Sequence, residues 1–403
     1  MSRRRLLVIC HGFPPYYGGA EHVAGYLARE AQRSGPWETG VLTSDLGGRL
    51  AREEHVEGLH IFRVPARKKE WTRHTALELG FFYLSACRNA GSIVGRFRPD
   101  HVLAHFSFPA GAVARRLWRR FRVPYSVVLH GSDVPGYQPE RFGLVYPLMR
   151  PLVRRVWAEA EHVVAVSEDL KNLALETWAA GDIKVIPNGV DTERFHPAPL
   201  ARAPAQEQAS PADAAGPRPG APGDKVKMVV VAQLIERKGL QHLLEALALL
   251  DDPLRKKVAV EIYGTGPFAA PLKDQAATAG LAEHVAFRGL ASHEDLPGLL
   301  RGAEAFVLPS LQEGLPLALL EAMASGLAIV ATRVGGMASV LADGRNALLV
   351  EPADAQGLAG AITRLVSDPS LRARLRQAAR DSALPYGWTG TWRAYSDLLC
   401  PSA

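Results

Sequence analysis

"PSLQEGLPLALLEAMASGLAIVAT", residues 309–332, predicts the fold of the second half of this chain. Pro316 suits a first helical turn and Gly326 the position just after a last turn, so a helix is predicted over Leu317–Ser325. The runs "AEAFVLPS" before it and "LAIVAT" after it are typical of buried strands. Together they predict a βαβ unit of a parallel sheet, with the helix N-terminus at the carboxyl edge of the strands.

Two carboxylates, Glu313 and Glu321, lie inside this otherwise almost wholly apolar stretch. Glu313 falls in the loop before the helix and Glu321 about a turn and a half into it, at the edge where open α/β sheets bind ligands. A buried carboxylate without a partner is strongly destabilising. Either Glu313 caps the helix and Glu321 pairs with an Arg or with backbone N–H groups, or both accept hydrogen bonds from the hydroxyls of a bound sugar or ribose.

Two domains are expected from the length of 403 residues and the hydrophobic content of 47%. Strand and helix patterns alternate over residues 1–195 and again over residues 226–380, as in Rossmann-like parallel sheets. Residues 196–225 between them are rich in Pro and Ala, which predicts a flexible linker or an insertion. Two helices separated by a break near Pro385 are predicted at the end of the chain. Residues 381–403 are expected to return to the first domain.

The cysteines and the start of the chain indicate a cytoplasmic protein. Cys10, Cys87 and Cys400 are odd in number and far apart, which argues against a disulfide framework or a zinc site and favours a reducing compartment. The first apolar run, Leu6–Cys10, is too short for the core of a signal peptide. No apolar run approaches the roughly 20 residues of a membrane-spanning helix.

The net charge of +6 comes entirely from the first half, because residues 1–196 carry 27 basic and 20 acidic residues. Five arginines alternate with Leu117, Trp118 and Phe121. They are Arg115, Arg116, Arg119, Arg120 and Arg122. Such a segment fits either peripheral contact with anionic lipid or a solvated Arg-rich helix face. Nucleic acid is not an expected partner, since no reading helix, zinc finger or aromatic RNA platform accompanies the charge.

Arg237 and Lys238 are predicted in the turn after a strand and just ahead of a helix. Cations beside the open N–H groups of a helix start suit a diphosphate, although "RKG" is also common in surface turns. No Asp-x-Asp motif occurs, so the usual metal-diphosphate clamp is missing and activity without a divalent ion is expected. "IYGTGP" places Gly264 and Gly266 after the next strand, which is only a weak nucleotide signal because the third glycine is missing.

Seven motifs in this order resemble the family 4 retaining glycosyltransferases of the GT-B fold, in which two Rossmann-like domains face each other across a cleft. The motifs are Gly18-Gly19, "HGSD" (130–133), "VSE" (166–168), "PNGVD" (187–191), "ERKG" (236–239), "YGTGP" (263–267) and "EGLPLALLEAMASG" (313–326). They span most of the chain outside the Pro/Ala-rich stretch.

The resemblance implies roles for individual residues. Arg237 and Lys238 would hold the nucleotide diphosphate, Glu313 would face the donor sugar, and His130 would lie near the reacting sugar. Asn188 and Gly189 would lie on the hinge side of the cleft. Glu321 would accept hydrogen bonds from the ribose hydroxyls. The residues expected to contact the nucleotide sugar are Gly18, Gly19, Gly264, Gly266, Leu290, Gly314, Leu315, Pro316 and Glu321.

Three further polar residues near the ends of predicted strands are open to more than one interpretation. For His11 and His105 a structural role is favoured over a functional one, and neither role is assigned. Asp133 could either orient His130 or contact the acceptor.

The function implied by the resemblance is retaining transfer of a hexose from a UDP or GDP sugar, without a cofactor or a metal ion. The acceptor, bound by the basic first domain, would be lipid-linked, a saccharide or a small molecule in bacterial glycoconjugate or polysaccharide synthesis. No side chain stands out as a nucleophile, which favours front-face attack. The alternatives are a nucleotide-sugar epimerase of the same fold and a non-catalytic partner of another transferase.

Overall fold

The computed structural model describes residues 3–14, 18–45, 47–67, 75–139, 143, 145–197 and 225–400. The chain divides into two compact units, of which the N-terminal unit comprises Met1–Gly189 with Trp388–Ala403 and the C-terminal unit comprises Val190–Gly387. The boundaries therefore lie after residues 189 and 387, where the sequence pattern placed them after residues 195 and 380. Of the predicted linker, residues 198–224 lie outside the described residues.

Contacts around Val190 explain the earlier boundary. The Val190 amide donates to the carbonyl of Tyr386 at 2.7 Å, and Val190 forms a parallel bridge with Gly387. Arg380 then donates to the carbonyls of Thr192 and Phe195. These bonds join the segment after residue 189 to the second unit, which no local composition signal indicates.

The N-terminal unit is built on an eight-stranded sheet in the order β3-β4-β2-β1-β5-β6-β7-β8, in which only β3 pairs antiparallel. Its strands are β1 (Arg4–Ile9), β2 (Trp37–Ser44), β3 (Glu53–Val56), β4 (Leu59–Val64), β5 (His101–His105), β6 (Tyr125–Leu129), β7 (His162–Ala165) and β8 (Ile183–Val185). Its helices up to residue 189 include α1 (Gly19–Arg33), α2 (Ala76–Phe97), α3 (Ala112–Phe121), α4 (Tyr146–Ala158) and α5 (Glu168–Thr177).

The C-terminal unit has a six-stranded, fully parallel sheet in the order β11-β10-β9-β12-β13-β14. Its strands are β9 (Val226–Val231), β10 (Val258–Tyr263), β11 (Val285–Gly289), β12 (Ala305–Leu308), β13 (Ala328–Thr332) and β14 (Leu348–Val350). Its helices are α6 (Leu240–Leu249), α7 (Asp252–Arg255), α8 (Ala269–Thr278), α9 (Leu296–Arg301), α10 (Leu317–Ala324), α11 (Met337–Val340), α12 (Ala355–Ser367) and α13 (Pro369–Ala383). This strand order is that of a Rossmann fold, which confirms the predicted parallel sheet.

Alternate residues of β9 face opposite sides of the C-terminal sheet. Met228 and Val230 pack into a core with residues of α6, α8 and α12, whereas Val229 packs into a second core with residues of α9 and α10. Both faces of the strand are therefore buried, as expected for a parallel sheet covered by helices.

The helix predicted within the βαβ unit and the two helices predicted at the end of the chain are present. The helix predicted over Leu317–Ser325 is α10. α13 ends at Ala383, a 3₁₀ turn spans Leu384–Tyr386, and α14 (Trp388–Leu399) follows. Trp388 of α14 stacks on Tyr26 of α1 with ring centroids 4.7 Å apart. No helix in the described ranges is long and apolar enough to cross a bilayer.

Two glycines with the same backbone conformation allow a test of how tightly the loop after β9 is packed. Gly239 has φ 67° and Gly280 has φ 68°. A Cβ at Gly239 would lie 1.9 Å from the carbonyl oxygen of Pro309, whereas a Cβ at Gly280 would meet nothing within 4 Å. We expect Gly280→Ala to lower the free energy of unfolding by roughly 1 kcal/mol, the cost of the left-handed conformation alone. Gly239→Ala should cost clearly more, because a backbone carbonyl must also move.

Urea unfolding of the two variants beside the wild-type protein measures this difference. Equal losses of stability would show that the loops after β9 and β12 are not closely packed.

Candidate functional site

Loops after β9 and β12 meet at the carboxyl edge of the C-terminal sheet. β9 and β12 are neighbours in the sheet, and the strand order reverses between them. In open α/β sheets ligands bind at such a switch point, since the loops on its two sides diverge. The loop after β9 carries Arg237 and Lys238, and the loop after β12 carries Glu313. The fold thus brings together the two residues predicted to hold the diphosphate and the glutamate predicted to face the donor sugar.

Hydrogen bonds join these two loops directly. The Leu311 amide donates to the Arg237 carbonyl at 2.8 Å, and Arg237 Nη1 donates to the Gln312 carbonyl at 3.3 Å. Lys238 Nζ donates to Glu313 Oε1 at 2.5 Å. The cations are therefore fixed at the switch point by protein contacts.

Lys238 and Glu313 form a buried ion pair, with side chains 14% and 6% exposed. Ser310 Oγ donates to the same carboxylate oxygen at 2.7 Å. Of the two roles considered for Glu313, helix capping is excluded, because the N-cap of α10 is Pro316 and no side chain caps the helix. The carboxylate lies instead against the lysine from the neighbouring loop, where it is charge-compensated.

Glu321, in the second turn of α10, pairs with a histidine that the sequence pattern did not identify. His293 Nε2 donates to Glu321 Oε1 at 2.9 Å, and both residues are largely buried. The Arg or backbone partner considered for Glu321 is therefore replaced by His293. The position of His293 shortly after β11, at the same sheet edge, was the one feature of the sequence that could have indicated a role at this site.

Gly264 and Gly266, which were predicted to contact the nucleotide, allow two backbone segments of this unit to pack closely. A Cβ at Gly264 would lie 1.8 Å from the Ala232 carbonyl oxygen, and one at Gly266 would lie 2.2 Å from the Leu234 carbonyl oxygen. These contacts hold the loop after β10 against the loop after β9. Leu290 follows β11 and is 49% exposed.

A further close approach occurs at a glycine that sequence reasoning missed. A Cβ at Gly335, in the loop after β13, would lie 1.8 Å from the Glu313 carbonyl oxygen. Gly314, Leu315 and Pro316 continue the loop from Glu313 to α10, and Leu315 is buried. The loop that holds Glu313 is thus packed against its neighbours on both sides.

His130 follows β6 in the N-terminal unit and is paired with His105, the last residue of β5. Their Nε2 and Nδ1 atoms are 2.9 Å apart, and the two rings stack. Burial lowers the pKa of both imidazoles, although the charges of Asp133 and Glu21 oppose this for His130. Both rings are therefore neutral near pH 7, and His105 is part of the arrangement that positions His130.

Asp133 fixes the backbone around His130. Its Oδ1 accepts from the amides of His130 and Gly131 at 3.0 and 3.1 Å, and its Oδ2 accepts from the amide and hydroxyl of Ser107. Of the two roles considered for Asp133, these bonds support the orientation of His130. Phe106, with φ 79°, packs its ring against His130 at 4.8 Å.

A second buried pair lies at the same edge of the N-terminal sheet. His11 follows β1, and its Nε2 lies 3.8 Å from Oε1 of Glu21 in the first turn of α1. β1 and β5 are neighbours, and the strand order reverses between them. His11 and His105 therefore flank a switch point, which a structural interpretation of each histidine alone did not predict.

Gly18 and Gly19 lie at the start of α1, where Gly18 is the N-cap and Gly19 the first helical residue. A Cβ at Gly18 would lie 2.0 Å from Oε2 of Glu21, so this glycine leaves room for the buried carboxylate. Residues 15–17 of the preceding loop lie outside the described residues. In the part of the chain that is described, no group of three His, Cys, Asp or Glu side chains could hold a metal ion.

Two family models match the chain. The model described as Glycosyltransferase Family 4 matches residues 17–194, and the model described as Glycosyl transferases group 1 matches residues 214–382. A GDP-mannose-dependent alpha-(1-6)-phosphatidylinositol monomannoside mannosyltransferase from Mycolicibacterium smegmatis is 33% identical over 302 residues. That match covers 72% of this chain and 72% of the relative.

Solved structures are similar over nearly the whole chain. Sucrose-phosphate synthase from Thermosynechococcus elongatus has a TM-score of 0.83 and 21% identity, covering 98% of both chains. Anabaena Alr3699/HepE in complex with UDP-glucose has a TM-score of 0.73 and 18% identity, covering 98% of this chain and 99% of that chain. These likenesses confirm the expected GT-B fold.

A double-mutant cycle tests the ion pair at the switch point. Lys238→Met leaves the Glu313 carboxylate buried without its cation, which should lower the free energy of unfolding by about 3 kcal/mol. Adding Glu313→Gln removes the unpaired charge, so the double variant should be more stable than Lys238→Met alone. Urea unfolding of the single and double variants measures this.

Lys256→Met, at an exposed lysine of the same unit, is the matched control and should change stability by less than about 0.5 kcal/mol. A double variant no more stable than Lys238→Met would contradict a coupled pair.

Proposed function

The chain belongs to glycosyltransferase family 4, and on that premise we propose that it transfers a hexose from a UDP or GDP sugar to a lipid-linked acceptor in glycoconjugate synthesis, with retention of configuration. The chain is a glycosyltransferase, and the observation that carries the rest is the pair of cations, Arg237 and Lys238, held at the switch point of the C-terminal sheet. The relative from M. smegmatis, whose name specifies GDP-mannose and a phosphatidylinositol monomannoside, supports the lipid-linked acceptor.

Arg237 and Lys238 are suited to a leaving diphosphate. Negative charge develops on the diphosphate as its bond to the sugar breaks, and cations that are already fixed stabilise it without reorganisation. Lys238 is paired with the Glu313 carboxylate. The pair holds the lysine in place before the donor arrives, and a bound diphosphate would replace or share that contact.

The two glutamates are suited to hydroxyl groups. In the described part of the chain, the hydrogen bonds to the Glu313 carboxylate fall on Oε1, and the same is true of Glu321. The Oε2 atom of each remains an acceptor. We assign Glu313 to the donor sugar and Glu321 to the ribose, as the family resemblance implies.

Transfer proceeds by front-face attack in this proposal. The acceptor oxygen bonds to the anomeric carbon on the side from which the diphosphate leaves, and the leaving phosphate oxygen takes the acceptor proton. His130 is neutral, so it serves the sugar as a hydrogen-bond partner rather than as a second cation. The charge on the diphosphate is met by Arg237, Lys238 and backbone N–H groups, and no metal ion is required.

Exposed apolar and basic side chains on α2, α3 and α4 support a lipid-linked acceptor. Leu77, Phe81 and Leu84 lie on one side of α2 and are 76%, 36% and 63% exposed, and Leu148 of α4 is 81% exposed. α2 packs on α3, and α3 packs on α4. The exposed cations of α3 and α4 are Arg116, Arg119, Arg120, Arg150, Arg154 and Arg155.

The charge of these three helices is almost purely positive. Glu78 is their one acidic residue, and it is buried in the capping box of α2 with Thr75. Arg115, counted in the predicted basic segment, instead pairs with Glu159 at 2.6 Å. Exposed leucines and arginines on three successively packed helices fit the interface of an anionic bilayer, and these helices form the surface we propose.

The diphosphate role is tested by Arg237→Ala. A panel of UDP and GDP sugars screened for thermal stabilisation first identifies the donor. Turnover of that donor by Arg237→Ala should then fall by at least about a hundredfold, because one fixed charge at a developing anion contributes that much. Wild-type turnover should persist in EDTA.

Arg255→Ala, which removes a surface arginine of α7 that pairs with Asp252, is the matched control and should keep its turnover. Unchanged turnover in Arg237→Ala would overturn the diphosphate role.

The lipid surface is tested by the triple variant Leu77→Ser, Phe81→Ser, Leu84→Ser. The wild-type protein should sediment with phosphatidylglycerol vesicles and much less with phosphatidylcholine vesicles. Binding of the triple variant should fall by roughly tenfold or more, because three apolar side chains lose contact with the acyl chains.

The control is Leu249→Ser, which changes a leucine of α6 that is 57% exposed. It should bind vesicles like the wild-type protein. Full vesicle binding by the triple variant would exclude this face as the lipid contact.

A further inference from the structure

His293 is the one described hydrogen-bond partner of the Glu321 side chain. We propose that His293 is a positioning residue, which holds the Glu321 carboxylate in the orientation that accepts the ribose hydroxyls of the donor nucleotide. This inference rests on the proposed function of Glu321 and extends it to a residue that does not itself touch the donor.

The direction of the hydrogen bond is fixed by chemistry. An ionised carboxylate only accepts, so Nε2 of His293 carries the proton and donates. With Oε1 occupied at 2.9 Å, rotation of the carboxylate would break the bond, and Oε2 is left to accept from a hydroxyl. Glu321 is 4% exposed, so water does not compensate for a loss of the histidine.

His293 is itself held on two sides. Arg194 Nη2 donates to the His293 carbonyl at 2.7 Å, which fixes the backbone of the loop after β11. The ring of Phe195 meets the imidazole edge-on, with centroids 5.7 Å apart. Neither the backbone nor the ring of His293 is free to turn independently of residues 194 and 195.

One guanidinium links this support to the helix that carries Glu321. Arg380 Nη1 donates to the Phe195 carbonyl at 2.9 Å and to the Ala324 carbonyl, at the end of α10, at 2.7 Å. The Arg380 side chain therefore holds both the segment that supports His293 and the helix that carries Glu321. A contact fixed at both ends is what a positioning role requires.

The experiment compares His293→Leu with His293→Gln. Glutamine places an amide N–H near the position of Nε2, whereas leucine fills the space without a donor. Calorimetry measures binding of UDP or GDP, whichever the wild-type protein binds, and of its 2′-deoxy and 3′-deoxy analogues. The wild-type protein should bind the ribonucleotide at least about tenfold more tightly than one of these analogues.

His293→Leu should reduce this preference to about threefold or less, and His293→Gln should retain most of it. In turnover assays, His293→Leu should raise the donor KM about tenfold and change kcat by less than about threefold. Since leucine could perturb folding, Arg194→Ala, which leaves the imidazole in place but frees its backbone, should shift the preference in the same direction.

Glu321→Gln separates failure of the inference from failure of the proposed function. If Glu321→Gln loses the ribose preference while His293→Leu and Arg194→Ala keep it, His293 has no positioning role and the ribose role of Glu321 stands. If Glu321→Gln also keeps the preference, the ribose role fails and the inference fails with it. If Glu321→Gln and His293→Leu both lose the ribose preference and His293→Gln retains it, the ribose role of Glu321 and the positioning role of His293 are both supported.

Discussion

The Lys238–Glu313 ion pair depends on one topological fact, which is that β9 and β12 are adjacent and parallel. Their register pairs Met228 with Ala305 and Val229 with Phe306. The two strands therefore end at the same edge, and the loop that follows each one begins at the same height. A lysine and a carboxylate 75 residues apart in sequence then meet inside the protein. Without the neighbouring strand, either charge would be buried alone at a prohibitive free energy.

Both units contain a sheet whose strand order reverses between two neighbouring parallel strands, but the residues at this switch point differ in chemistry. In the C-terminal unit the loops at the switch point carry cations and carboxylates, which are suited to phosphates and hydroxyls. In the N-terminal unit the corresponding edge carries His11, His105 and His130, and burial keeps the imidazoles of His105 and His130 neutral. Charge at the carboxyl edge is thus set by the loops, while the strands only determine which loops meet.

Packing also redefines the basic face of the N-terminal unit. The arginines of α3 were evident in the sequence, but "ALELGFFYLSACR" in α2 is a mixture of apolar and small residues that would suit a core helix equally well. In the folded protein Phe82 and Ala86 of this helix are buried in the core, whereas Leu77 and Leu84 are exposed. The position of the neighbouring helices, rather than the helix's own composition, decides which apolar residues face solvent.

The sequence by itself determined the elements and the chemistry they offer. Pro316 and Gly326 set the limits of α10, the alternation of apolar runs set two parallel sheets, and the ordered motifs identified the family. Only the tertiary structure decided the partners. It paired Glu321 with His293, Glu313 with Lys238 and His130 with His105, and it ended the first unit at residue 189. The physical reason is that propensity and periodicity act over a few residues, whereas each of these contacts joins segments whose proximity depends on strand order.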